Sequence, residues 1–158
     1  MGNPKMNRLV SAGIAASIIL LSGRPSLSDG LKGTTIQARY NVTTCKLDGT
    51  DCTPHQANTN IYIDKNGSNI FDYSSNSAGT VFTSGVRHQG GPGELPQTWY
   101  VRGNSFVMVT DLNGQGSFTI TITARGANCD VSFRKNYARA AAQMTVQSCR
   151  VIAGHVER

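Results

Sequence analysis

Four cysteines and three histidines are the side chains best suited to hold a metal or attack a substrate. Cys45, Cys52 and His55 lie close together and could supply three soft ligands. Their spacing is not that of a zinc site, because no Cys-x₂-Cys occurs and no second histidine follows at a useful distance. An even number of cysteines in an exported chain reads instead as two disulfides. Of the three possible connectivities, proximity along the chain favours Cys45–Cys52 and Cys129–Cys149. No metal and no cofactor are expected.

Acid–base chemistry has one candidate pair. His88 and Glu94 share the segment Val86–Gln97, which also carries Gly90-Gly91-Pro92-Gly93 and Pro96 and reads as a long surface loop. A histidine and a carboxylate in one loop could shuttle a proton for a small hydrolase. No Gly-x-Ser-x-Gly nucleophile motif accompanies them. The only glutamates are Glu94 and Glu157, so a glycosidase pair would need aspartates, several of which sit in turns. Asp111 to Ser117 resembles the start of a calcium loop, but Ile122 stands where the closing bidentate glutamate belongs. The chain therefore reads as a non-enzyme. A hydrolase using His88 and Glu94, or an envelope structural protein with no discrete site, are the alternatives.

The elements that position these residues begin after an export signal. Lys5 and Arg8 precede an apolar run from Leu9 to Gly23, and Ser26 and Ser28 supply small residues for cleavage. The run is about 15 residues, where a membrane span needs about 20. Residues 1–28 are thus expected to leave on export, with 29–158 forming one secreted or periplasmic domain that has no membrane anchor. The net charge of the full sequence is +6, and Lys5, Arg8 and Arg24 account for three of those charges. The remaining positives are scattered rather than clustered, which argues against nucleic-acid binding. Sequons stand at Asn41 and Asn66.

Beyond residue 28 the apolar spacing has period two. Phe118-Thr119-Ile120-Thr121-Ile122-Thr123 alternates cleanly, as in a half-buried antiparallel strand. Asn66-Gly67, Gly103-Asn104, Asn113-Gly114 and Gly126-Ala127 are hairpin turns. Strands are expected over Thr34–Val42, Asn60–Asp64, Asn69–Tyr73, Thr80–Thr83 and Thr145–Ile152, with a four-stranded meander from Thr98 to Arg134. Asn136–Gln143, with its run of alanines, is the one expected helix. The fold is therefore all-β and mainly antiparallel, a small barrel or sandwich of about eight strands with one short helix near the C-terminus.

Two-residue turns throughout the meander would place Tyr100, Val107, Val109, Phe118, Ile120, Ile122, Cys129, Val131 and Phe133 on one core face. The reverse face would then hold Trp99, Val101, Phe106 and Met108, which is unusually apolar for a solvated surface. The favoured explanation is a second layer, the alanine-rich helix or a packed strand, that covers these four; the alternative is a binding surface for a small apolar ligand or a partner protein. If inside and outside are exchanged, they line a barrel instead. A cavity walled by Trp99, Phe106 and Met108 would favour binding, and a polar cleft gathering histidine and carboxylates would favour catalysis.

Overall fold

The computed structural model describes residues 30–46, 48–74, 79–136 and 140–156. Ten antiparallel strands follow one another in chain order: β1 (Thr34–Lys46), β2 (Thr53–Ile63), β3 (Asn69–Asp72), β4 (Thr80–Thr83), β5 (Arg87–His88), β6 (Gln97–Arg102), β7 (Ser105–Asp111), β8 (Ser117–Arg125), β9 (Asn128–Asn136) and β10 (Ala140–Ala153). Except for β4 and β5, neighbours in sequence are neighbours in the sheet, and β1 pairs with β10. The result is a meander wrapped into a nearly closed barrel whose free edges are β4 and β5. That seam is bridged by the Gly85 amide on the Trp99 carbonyl at 2.8 Å and by the Val101 amide on the Ser84 hydroxyl. A curled sheet of this kind has few exposed edges to pair with other chains.

Alternation decides which side chains fill the interior. On β1 these are Ile36, Ala38, Tyr40 and Val42, and on β8 they are Phe118, Ile120, Ile122 and Ala124. Thr119, Thr121 and Thr123 project outward between them. One end of the barrel is packed shut. Leu31, in the turn before β1, is completely buried there beside Ile36, Ile63, Ile70 and Phe106. Gly30 holds this plug in place. A side chain at Gly30 would begin 2.1 Å from the Gly103 carbonyl oxygen, and its φ of +67° favours glycine as well.

Both expected disulfides are formed, and no free cysteine remains among the described residues. Cys45–Cys52 closes the β1–β2 connection. Cys129–Cys149 ties β9 to β10 at the plugged end, where their ladder consists of the single pair Arg150↔Asn128. Beyond that pin the two strands part. β10 continues instead along β1, from Thr34↔Ala153 to Lys46↔Ala140, with one irregularity at Arg39/Tyr40.

The structure corrects three expectations. There are ten strands rather than about eight. The expected helix over Asn136–Gln143 is not formed: Asn136 closes β9, Ala140 opens β10, and residues 137–139 lie outside the described part. Alanine's helix preference is overridden because Ala140–Ala142 pair with Thr44–Lys46 of β1. The third correction is a register. The Gly103-Asn104 and Gly126-Ala127 turns have two residues, giving Tyr100↔Val107 and Ile120↔Phe133 as expected. The β7–β8 ladder is displaced by one, with Met108↔Ile120, Val107↔Thr121 and Thr110↔Phe118. Asn113 and Gly114 do adopt left-handed φ values of 55° and 81°. The Gln115 amide bonds the Leu112 carbonyl across them, but Gly116, at φ 122°, is an extra residue on the β8 side. One inserted residue exchanges the two faces. Tyr100, Val107 and Val109 thus belong to the outer face, with Val107 buried there, whereas Ile120, Ile122 and Cys129 remain in the core. The expected export signal, residues 1–28, lies outside the described residues.

Candidate functional site

The exchange of faces turns Trp99, Val101, Phe106 and Met108 inward. Trp99 and Phe106 are buried, and Val101 and Met108 pack against the same core. Trp99 stacks flat on Phe82 with ring centroids 4.0 Å apart, and Phe106 meets it edge-on at 5.4 Å. The Trp99 indole N–H donates to the Gln97 side-chain oxygen at 2.9 Å. Trp99, Phe106 and Met108 therefore line a lumen, and Val101 packs into the core on the same face.

That lumen is packed at the Leu31 end and hollow toward the other. Its deep part has a volume of about 240 Å³ and is walled by Trp99, Phe106, Met108, Ile120 and Ile122, with Tyr40, Asn58, Thr59, Asp72, Ser74 and Gln97 as its polar residues. Two bays adjoin it. The first, about 550 Å³, shares Tyr40, Ala57, Met108 and Ile120 with the deep part and adds Val42, Phe118 and Phe133. Its only ionisable groups are the buried Tyr40 hydroxyl and His55, which is exposed at the rim. The second, about 460 Å³, shares Asp72 and Gln97 with the deep part and adds Thr80, His88, Glu94 and Thr110. The volumes of the two bays fall in the range of small-molecule sites.

The strands make the lumen two-sided. Inward positions on β1, β2, β8 and β9 give the apolar wall. β3, β4, β6 and β7 also bring Ile70, Phe82, Trp99, Phe106 and Met108 inward, and at one end they add a polar arc, placed by the pairs Asp72↔Thr80 and Gln97↔Thr110. Asp72 faces inward because it lies opposite Ile61. Its Oδ1 accepts the Ser74 amide at 2.8 Å. Thr110 is 1 % exposed, and its hydroxyl has no hydrogen-bond partner in the structure. The Tyr40 hydroxyl accepts from Thr59 at 3.3 Å. Burial pushes the Tyr40 hydroxyl above its ordinary pKa, against the opposing effect of that hydrogen bond, and the nearby Asp72 charge pushes the same way as burial.

His88 and Glu94 do line one bay, together with Asp72. No hydrogen bond joins them among the described residues. Glu94 Oε2 instead accepts the Gly91 amide at 2.8 Å, which caps the loop. The His88 ring lies edge-on to Phe82 at 4.8 Å. The Cys45 and Cys52 sulfurs are bonded to each other and so leave the metal set considered with His55. Asp111 is occupied as a turn residue, accepting the Gly114 amide and pairing with Arg87 at 2.7 Å. The polar depression on the outer face of β1, β2 and β10 is larger, about 800 Å³. Its Arg150 guanidinium is already engaged by the Gln37 side-chain oxygen through two hydrogen bonds.

Of the four residues named from the sequence, Trp99, Phe106 and Met108 line the deep part and Val101 does not, and the polar arc was not singled out. Thr80, Gln97 and Thr110 carry no motif. Only the period-two alternation through Phe82, Trp99 and Met108, with Gly116 counted as a bulge, would have grouped them. Compared with protein-family models, curated proteins and solved structures, the chain matches none of them significantly.

Proposed function

We propose that the protein is an exported, non-enzymatic barrel that binds a small, largely apolar ligand in its lumen. The supporting observation is the first bay. Side chains at inward positions of five strands leave a space of about 550 Å³ with an apolar lining at the open end of the barrel. Tightly packed interiors leave few voids larger than a water molecule, so an apolar space of this size suits an occupant. Export accords with the two disulfides, which persist in oxidising compartments. It accords also with the absence, among the described residues, of any helix long and apolar enough to cross a membrane. The test is titration with the neutral fluorescent probe N-phenylnaphthylamine, followed by displacement with decanol. Saturable binding at one site per chain, reversed by decanol, is expected. A linear, unsaturable signal would overturn the proposal.

A second reading is favoured by one observation, the grouping of His88, Glu94 and Asp72 around the second bay. On that reading the protein is a small hydrolase with His88 as proton shuttle. Ester hydrolysis abolished by His88→Ala, with binding of the probe unchanged, would establish it in place of the non-enzymatic reading.

A further inference from the structure

We propose that the ligand is an amphiphilic amine, with its apolar body in the first bay and its ammonium group on the Asp72 side of the lumen. This rests on the lumen-binding reading and adds the chemical class of the ligand. Asp72 is the carboxylate common to the deep part of the lumen and the second bay, and Glu94 stands at the rim of that bay. No Lys or Arg lines any of the three spaces, although the sequence holds 15 of them. Among the described residues Asp72 is paired with no basic side chain. Its recorded hydrogen bond is the Ser74 amide on Oδ1.

A half-buried carboxylate without a cationic partner is costly, and a charged N–H donor from a ligand offsets that cost. Independently, the Thr110 hydroxyl is buried without a partner in the wall of the same bay. An ammonium carries three donors, which the Asp72 carboxylate can accept. The rings of Phe82 and Phe118 border the same space, and aromatic faces attract cations. The first bay, with Val42, Ala57 and Phe133, is mainly apolar apart from Tyr40, Thr44 and His55, and suits a hydrocarbon chain.

Decylamine, decanol and decanoate share one chain and differ in the head group, so competition of the three against bound N-phenylnaphthylamine at neutral pH isolates the head-group preference. Decylamine is expected to displace the probe at about ten-fold lower concentration than decanol, with decanoate weakest. In Asp72→Asn, with the probe's own affinity measured first for that variant, decylamine is expected to fall to within about two-fold of decanol. Asparagine keeps an oxygen for the Ser74 amide, and the wild-type ranking alone decides the matter if that variant does not fold. Probe binding with decanol or decanoate equal to or better than decylamine overturns the amine and leaves the apolar lumen standing. Failure of the probe and of all three compounds to bind overturns the lumen reading and the amine with it.

Discussion

Met108 lies directly opposite Ile120 in the β7–β8 ladder, so both side chains enter the barrel. Through the β8–β9 ladder Ile120 also faces Phe133. One central strand thus carries the partners that connect the packed half of the core to the hollow half. Trp99, across from Met108 on β6, joins the same interior row.

Ile120 is 5 % exposed, whereas Thr121 points to the outer face and is half-buried. Ile120→Ala is expected to destabilise by about 2–5 kcal/mol, the usual result of emptying a core position. Thr121→Ala is expected to stay within about 1 kcal/mol. Urea melts of the two variants measure both. A larger loss at Thr121 would mean that the register of β8 is wrong.

The turn residues and the alternation make most of this barrel legible in the sequence. The turn at Asn66-Gly67 joins the two strands expected on either side of it, with Ile63↔Ile70 and Tyr62↔Phe71 paired. Phe118 to Thr123 announces its own strand. What was not legible comes down to single residues. Gly116 is silent as composition but inserts a bulge, and a bulge reverses every side chain beyond it. Ala140–Ala142 read as helix because local preference cannot report that β1 offers a pairing edge. Trp99, Val101, Phe106 and Met108 were grouped on one face from the sequence, and they do share a face, three of them lining the deep part. Their enclosure in a lumen needed the register, and so did the polar arc of Asp72, Gln97 and Thr110.

The two disulfides differ in what they hold. Cys129–Cys149 spans 20 residues and fastens β9 to β10, where one ladder pair is the only regular pairing. Cys45–Cys52 spans 7 residues between strands already joined by a long ladder. Replacing Cys129 and Cys149 with alanine is expected to cost about 2–4 kcal/mol, and replacing Cys45 and Cys52 clearly less, as the shorter loop implies. Thermal melts of the two double variants test this ordering. Equal losses would show that the β9–β10 junction is held by something other than the bridge.

Tyr40 makes stability depend on alkaline pH. Its pKa in the folded chain is raised, chiefly by burial, above the ordinary value near 10 that it has when unfolded. Between those two values the folded state holds a proton that the unfolded state has lost. The stabilising contribution is therefore complete below about pH 10 and disappears as pH climbs through the folded value. Urea melts at about pH 8 and about pH 11 should show a smaller alkaline loss for Tyr40→Phe than for the wild type. Identical losses would place the Tyr40 hydroxyl in water.

The central claim is that the hollow half of the barrel is a binding site. Ala57 lines both the deep part and the apolar bay, so a larger side chain there occupies the space meant for the ligand. The single tryptophan, Trp99, lies in the wall of that space and reports on it. The decisive measurement is energy transfer from Trp99 to N-phenylnaphthylamine, titrated into the wild type and into Ala57→Phe, with circular dichroism confirming the fold of both. Saturable transfer in the wild type, absent or at least about ten-fold weaker in Ala57→Phe, is the predicted result. Transfer of equal affinity in both proteins, or none in the wild type, would contradict it.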